Sequence, residues 1–459
     1  MFIEIEANKA PIYEQVYEGL KKLILDQTLK EGDRLPSLRS LARDCNVSLN
    51  TVKNAYLLLE KEGYIQSEEK IGYFVKATDH LVQLSVATTQ KKTPEKSPSY
   101  DFSYGGVDPS SFPFSIWRKI FQEIFVPEND KLLSSGHPQG HPPLREAIAQ
   151  YLKKSRGVSA QANQIIISSG TDQLFYLLRL LLPEDTTYAF EDPGFAWGSP
   201  HLIYGIKNPL PLRLDKEGPV LEAVLKTKKC GLLLTPAHQF PLGVIMTDHR
   251  RQEVLKWLEA SPHRYVIEDD YDGEFKFQGH PVPPLKTLDK KDQIIYIGSF
   301  SKSLTPSLRI SYMVLPQDLL LKYHETLAHF SSPVSPITQK ALALFIQGGY
   351  FDRHLNRMRG IYSKRYDRIL AECKKLKDVH ILASESGMSF VIHCPKIKSS
   401  QDLLKKAQAQ GLNLTSVQEF QSDPKEDKKL FILGFAKLTE KEIQEGIGLL
   451  DQILEGETP

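Results

Sequence analysis

Cysteine is scarce in this 459-residue chain: Cys45, Cys230, Cys373 and Cys394 lie far apart and form no Cys-x-x-Cys pair. That argues against a disulfide framework or a thiol zinc module and suits free thiols in a reducing compartment. No apolar run is long enough to cross a bilayer, and Met1 is not followed by a basic-then-apolar leader, so a cytoplasmic location is expected. A surplus of one charge is missing too. The 58 basic against 56 acidic residues leave +2, so any surface for nucleic acid must be local and offset elsewhere. What remains is ordinary for a globular protein, 41% hydrophobic and 25% charged. The length exceeds one hydrophobic core, so two or three domains are expected.

Residues 1–77 read as one unit. Val16, Leu20, Leu23 and Ile24 recur at helical spacing, which predicts an amphipathic helix over roughly residues 11–26. A turn at Lys30-Glu31-Gly32-Asp33 precedes a short helix opening at Pro36-Ser37 and running through Arg43, with Ser37 placed as its N-cap. A third helix spans about residues 49–61 and stops at Gly63; Val52, Ala55, Tyr56 and Leu59 share one face. Tyr64-Ile65-Gln66 and Tyr73-Phe74-Val75 then read as two strands around a polar turn. Three helices and a hairpin make a winged helix-turn-helix, a layout that sets a recognition helix in the major groove.

Residues 78–99 decay into Thr, Gln, Lys, Ser and Pro and read as a linker, with a reach of roughly 25 Å if flexible. From residue 100 to 459 the rhythm is strand, turn, helix. Ile165-Ile166-Ile167, Thr187-Tyr188-Ala189-Phe190, Gly231-Leu232-Leu233-Leu234, Tyr265-Val266-Ile267 and Ile294-Ile295-Tyr296-Ile297 are short apolar strands. Their near-continuous apolar character predicts an α/β fold, a mostly parallel sheet covered by helices. The larger part is expected at about 125–330 and a smaller one at about 331–459.

Lys302 follows the last of these strands, so its amine is expected at a strand end, where α/β sheets build their sites. Ser299 and Ser301 flank it and Arg309 follows, a set suited to an aldehyde cofactor that carries a phosphate. Ser169-Gly170-Thr171 sits between a strand and a helix, where backbone amides face an anion. Glu268-Asp269-Asp270-Tyr271 ends another strand. Three adjacent carboxylates call for a cation, and a protonated pyridine nitrogen would serve. A metal is the rival, but no histidine or cysteine partner lies at ligand spacing, so none is assigned.

In this order, with Gly140-His141-Pro142-Pro143-Leu144-Arg145, Glu191-Asp192-Pro193-Gly194-Phe195 and the run from Thr235 to Gly243, the residues from about 101 onward resemble fold-type I pyridoxal-phosphate aminotransferases. With Leu35-Pro36-Ser37-Leu38-Arg39 added, the whole chain resembles MocR/GabR-type bacterial regulators, a GntR-like winged helix fused to that fold. The resemblance implies pyridoxal 5'-phosphate held as a Schiff base on Lys302, with Asp269 on the pyridine nitrogen and Tyr271 on the phenolic oxygen. It implies Phe195 stacked on the ring, and Gly170, Thr171, Ser299, Ser301 and Arg309 on the phosphate. His238 or Gln239 would sit near the cofactor oxygen. In the head, Asn50, Thr51, Lys53 and Asn54 would meet bases or phosphates of operator DNA, with Ser37 and Arg39 on the backbone and Lys70 from the wing. A homodimer with two heads is also implied.

The chain departs from that pattern at several places. Ser135 stands where family members often carry a tyrosine that reaches the phosphate across the dimer. Arginines that clamp a carboxylate are missing from Ala196-Trp197, from residues 417–422, and from position 432, where Ile432 precedes Leu433-Gly434-Phe435-Ala436. Losing such a clamp costs several kcal/mol of carboxylate binding. Regulation by the cofactor, with or without an amino compound as effector, is therefore the leading expectation, including a sensor of vitamin B6. An aminotransferase with an accessory head, capable at most of a slow half-reaction, and a repressor using a cofactor-free scaffold are the alternatives.

Overall fold

The computed structural model describes residues 10–69, 71–76, 98–277, 282–382 and 387–456, and the chain divides into two compact units, residues 1–95 and 96–459. Lys70 and residues 78–97 of the expected linker lie outside the described residues.

In the first unit, helix α1 (Ile12–Leu25) turns Val16, Leu20 and Ile24 inward, the four-residue spacing that stacks side chains on one face. Helix α2 (Leu38–Asp44) begins where Ser37 Oγ accepts from Ser40 N at 3.2 Å. Helix α3 (Leu49–Lys61) begins where Ser48 Oγ accepts from Thr51 N at 3.1 Å. Gly63, at φ 81°, supplies the left-handed turn that ends it. Strands β1 (Ile65–Glu68) and β2 (Gly72–Val75) pair antiparallel, with Ile65 opposite Val75. Tyr56, wholly buried, donates its hydroxyl to Pro36 O at 2.8 Å and so locks α3 against the start of α2.

The second unit opens with β3 (Tyr100–Asp101) and builds an eight-stranded sheet. Its strands are β4 (Ile165–Ser168), β5 (Thr187–Asp192), β6 (Leu210–Asp215), β7 (Gly218–Pro219), β8 (Cys230–Leu234), β9 (Arg264–Asp270), β10 (Ile294–Ser299) and β11 (Ser311–Val314). The order is β4-β11-β10-β9-β8-β5-β6-β7. The five from β10 to β6 are parallel; β11 is antiparallel to both its neighbours, and β7 to β6. Alternation along β9 sends Tyr265 and Ile267 to one face, under the helices Thr171–Leu181 and Gln317–Thr326. Val266 points to the other, under the helix Asp248–Glu259. Burial on both faces explains why these strands read as continuous apolar runs.

The 24-residue helix Tyr350–Cys373 leads to a smaller antiparallel sheet, β12-β13-β16-β15, built from β12 (His380–Leu382), β13 (Ser389–His393), β15 (Thr415–Ser416) and β16 (Leu430–Gly434). The remaining strand, β14 (Leu412–Asn413), pairs in parallel with β3, Leu412 opposite Tyr100 and Asn413 opposite Asp101. Asn413 Nδ2 also donates to Asp101 Oδ1 at 2.8 Å. The first residues after the linker thus belong to the packing of the C-terminal part, a long-range pairing that no local pattern announces.

At the end of β9, Arg156 Nε and Nη2 donate to both oxygens of Asp270 at 2.8 and 3.0 Å, and Tyr296 donates to Asp270 Oδ2 at 2.6 Å. Both charged side chains are buried. Removing one partner strands the other charge, so Arg156→Ala is expected to destabilise the second unit by about 3–5 kcal/mol. The three tryptophans, Trp117, Trp197 and Trp257, all lie in that unit, so denaturant unfolding followed by their fluorescence reads it directly. A loss under about 1 kcal/mol would contradict the role given to this pair.

Candidate cofactor site and nucleic-acid face

The ends of β5, β8, β9 and β10 open on one cavity of about 240 Å³. Tyr104, Gly170, Thr171, Asp172, Phe195, Thr235, Phe240, Asp269, Tyr271, Ser299, Ser301, Lys302, Arg309 and Ser311 are among the residues that line it. Strand ends place side chains here because parallel strands stop together and hand over to loops.

The loop after β10 is folded by its own hydroxyls. Ser301 N donates to Ser299 Oγ at 3.2 Å, and Ser311 Oγ lies 3.0 Å from the same oxygen. Lys302 therefore leaves the strand end at a fixed point. Its Nζ donates to Tyr104 O and stands 5.4 Å from the centre of the Tyr104 ring. Burial pulls the amine down to about 8, against a slighter opposing pull from Asp272. An amine so shifted is far more often neutral near pH 8 than an ordinary lysine, which suits attack on an aldehyde.

Asp269 lines the same cavity as Lys302. Its Oδ1 is buried and has no hydrogen-bond partner, and burial, reinforced by Asp270 and Asp272, pushes the carboxyl up to about 8. Its two neighbours point the other way. Glu268 accepts from Leu285 N and Lys286 N at 2.6 and 2.8 Å, and Asp270 is held by Arg156. Of the three adjacent carboxylates, two are framework and one is free to meet a cation. A pyridinium N–H fits that oxygen.

At the opposite end, helix Thr171–Leu181 starts at Gly170 with no side-chain cap, leaving its first amides to face an anion. Gly170 is at φ 103°, and a β-carbon there would come within 2.4 Å of Arg309 Nη2; only glycine lets the guanidinium approach. Arg309 Nη2 donates to Ser169 O at 3.4 Å and stands 3.7 Å from Asp172 Oδ2. The amides, the hydroxyls of Ser299 and Ser301 and Arg309 make a set that fits a phosphate.

His238 and Gln239 do not line the cavity. Gln239 Nε2 donates to Pro193 O at 2.9 Å and its Oε1 accepts from Leu242 N at 3.1 Å, so this amide is spent on shaping its own loop. The expectation that Gln239 reaches a cofactor oxygen is corrected on that ground. His238 lies one layer back: its Nδ1 is 2.9 Å from both Tyr271 Oη and Asp272 Oδ2. It reaches the cavity only through Tyr271. The sequence reading also missed Tyr104, Asp172, Thr235, Phe240 and Ser311. Tyr104 is 198 positions from Lys302 and has no local motif, whereas Asp172 adjoins a residue already singled out.

In the first unit, Asn50, Lys53, Asn54 and the half-exposed Leu57 fall within about 100° of arc on α3, opposite Val52, Ala55, Tyr56 and Leu59. Arg39 and Ser37 are exposed at the start of α2, Ser37 with its oxygen engaged in the cap. Thr51 differs from the expectation: its hydroxyl is 2.7 Å from Ser48 Oγ, so it serves the N-cap of α3. Lys70 lies outside the described residues.

Comparison with known proteins agrees with both units. Residues 107–450 match the aminotransferase class I and II family, and residues 12–75 match the gntR family of bacterial regulatory proteins. The HTH-type transcriptional regulator YdeL of Bacillus subtilis is 37% identical over 95% of this chain and 95% of its own. MocR of Rhizobium meliloti is 32% identical, covering 96% of this chain and 93% of its own. The HTH-type pyridoxine biosynthesis transcriptional regulator PdxR of Corynebacterium glutamicum is 30% identical over 88% of each chain. Among solved structures, the kynurenine aminotransferase of Pyrococcus horikoshii superposes with a TM-score of 0.69 at 28% identity, covering 80% of this chain and 93% of that one. Among the described residues no helix is long and apolar enough to cross a membrane.

The raised Asp269 carboxyl has a consequence for stability. Below about pH 4 the group is protonated whether the chain is folded or not, and it costs nothing. As pH rises toward 8 the unfolded chain ionises while the fold retains the proton, so stability falls through that window. Asp269→Asn is expected to stabilise the second unit by about 1–3 kcal/mol at pH 8 and by nothing near pH 4. Thermal melts at the two pH values decide it; a variant that melts below the parent at pH 8 overturns the assignment.

Proposed function

The chain belongs to the MocR-type regulators, in which a gntR-family winged-helix head is joined to an aminotransferase class I and II body, and from that premise we propose that pyridoxal phosphate held at Lys302 governs how the head engages operator DNA. One observation carries the cofactor reading: a part-buried lysine amine and a partnerless buried carboxylate share a single cavity with an anion cradle. Pyridoxal phosphate supplies an aldehyde that joins to an amine and a pyridine nitrogen that holds a proton.

The residues of the chain do the rest. Lys302 offers its amine, Asp269 Oδ1 accepts the pyridine N–H, and Tyr271, steadied by His238, meets the phenolic oxygen. Gly170, Thr171, Ser299, Ser301 and Arg309 hold the phosphate, and Phe195 covers one ring face. Lys302 also ties down Tyr104, four residues beyond Tyr100, where the chain leaves the linker and joins β14. A change at Lys302 is thereby passed to the segment from which the head is tethered.

In the head, Asn50, Lys53 and Asn54 enter the major groove and Arg39 meets the phosphate backbone; asparagine reads adenine through two bonds, which gives base specificity. The assembly is a homodimer in the cytoplasm, with two heads setting the half-site spacing. The likeness to a regulator named for pyridoxine biosynthesis supports the cofactor itself as a signal. Steady transamination is disfavoured because Ile432 sits in an apolar cluster with Phe240 and Phe420 where a carboxylate clamp would be needed.

Titration of the protein with pyridoxal phosphate is expected to raise a band near ~420 nm that Lys302→Ala lacks, and to change operator retention in the parent only. A band in both proteins, or in neither, would remove Lys302 from its role. On the DNA side, Lys53→Ala is expected to weaken binding across sequences and to lower the salt slope by about 1. Unaltered affinity and slope would place α3 away from the duplex.

A further inference from the structure

The anion cradle contains an anion of its own. Asp172 follows Thr171 in the first turn of helix Thr171–Leu181 and lines the same cavity. An acidic residue there has an ordinary local cause, because the positive end of a helix favours one. Its place in the site is less ordinary. Asp172 Oδ2 stands 3.7 Å from Arg309 Nη2, and its Oδ1 stands 3.4 Å from His201 Nε2. A phosphate oxygen bonded to that Nη2 lies within about 7 Å of the Asp172 carboxylate.

Such a carboxylate either orients the guanidinium for a ligand or competes with the ligand for it. The geometry separates the two. At 3.7 Å the pair is beyond hydrogen-bond range, so Asp172 acts on Arg309 by charge and not by direction. Other groups direct the side chain. Arg309 N donates to Pro306 O at 3.2 Å with its backbone at φ 47°, which fixes where the side chain leaves. Gly170 gives the guanidinium room, and Ser169 O accepts from Nη2 at 3.4 Å.

Charge decides the rest. The charged residues of the described lining are Lys302, Arg309, Asp172 and Asp269. In the reading above Lys302 meets the aldehyde and Asp269 the ring nitrogen, so Arg309 and Asp172 are left for the phosphate, and their charges cancel. Lys437 also acts on Lys302, but it is bonded to Asp101 and Ser103. A phosphate monoester carries about two negative charges near pH 7. It enters a cradle with no net charge, held by amides, hydroxyls and a cation that already faces a carboxylate. The Asp172 charge also reaches deeper: after burial, Asp270, Asp272 and Glu191, it adds to the rise of the Asp269 carboxyl.

We infer that Asp172 is an affinity-setting residue that keeps the grip on the phosphate weak, so that occupancy at Lys302 follows the concentration of free cofactor. This rests on the cofactor reading above and deepens it. A body that senses its cofactor has to release it, and a resident carboxylate at the phosphate end provides that release without touching the groups that meet the ring.

The test follows the ~420 nm band while the full chain is titrated with pyridoxal phosphate and, separately, with pyridoxal, which lacks the phosphate. Asp172→Asn is expected to bind pyridoxal phosphate at least ~5-fold tighter than the parent and to gain nothing toward pyridoxal. Asp172→Ser, also neutral and also suited to the start of a helix, is expected to repeat the gain, so a folding defect in one variant does not decide the result. Near-ultraviolet spectra check the fold. Unchanged or weaker binding of pyridoxal phosphate by the folded variants overturns the inference and makes Asp172 an orienting partner of Arg309. An equal gain toward pyridoxal overturns it as well, since the effect then lies away from the phosphate. No band in the parent at the outset strikes the cofactor reading instead, so the two failures are told apart.

Discussion

The site depends on how one strand end disposes of three consecutive carboxylates. Side chains alternate along β9, so Glu268 and Asp270 leave on one face and Asp269 on the other. The first two are neutralised or bonded by the framework, Glu268 by two backbone amides and Asp270 by Arg156 and Tyr296. Their satisfaction anchors the strand at the depth where Asp269 enters the cavity without a partner. Asp270, though paired, still adds to the rise that burial imposes on the Asp269 carboxyl. A well-bonded framework thus holds one deliberately unsatisfied group in place, the arrangement expected where a ligand supplies the missing charge.

How much of this was legible beforehand follows the range over which each cause acts. The helix cap at Ser37, the turn at Gly63 and the apolar faces of α1 and α3 are set by neighbours within a few residues, and the pattern located them within a residue or two; the cap at Ser48 went unmarked although its helix was placed. The strands of the large sheet were readable for the same reason, since burial on both faces leaves an apolar run. Lys302 and the Ser169-Gly170-Thr171 turn stood out by their chemistry at strand ends, and the resemblance singled out Asp269 among its three carboxylates; Lys302, Gly170 and Asp269 all line the one cavity. By contrast, Tyr104 acts on a lysine 198 positions away, and β3 pairs with a strand more than 300 residues later. Nothing in a local window specifies such contacts. Which of His238 and Gln239 faces the site was illegible for another reason. Both can bond an oxygen, and only the loop geometry spends Gln239 on Pro193 and Leu242 while turning His238 toward Tyr271.

Burial acts in opposite senses on two groups that line this cavity. It pulls the Lys302 amine down to about 8 and pushes the Asp269 carboxyl up to about 8, so near neutral pH each is held close to the point where its charge is contested. Both shifts measure a cost that folding bears to bury ionisable groups short of partners. A ligand that bonds covalently to the amine and brings a proton to the carboxylate relieves both at once, and its binding free energy includes that relief. Anything that binds the folded chain in this way stabilises it in proportion to the logarithm of its concentration over its dissociation constant. The cavity is consequently a place where ligand concentration is converted into free energy of the second unit. Lys302 also donates to Tyr104 O, so the group that meets such a ligand is bonded to the segment that follows β3.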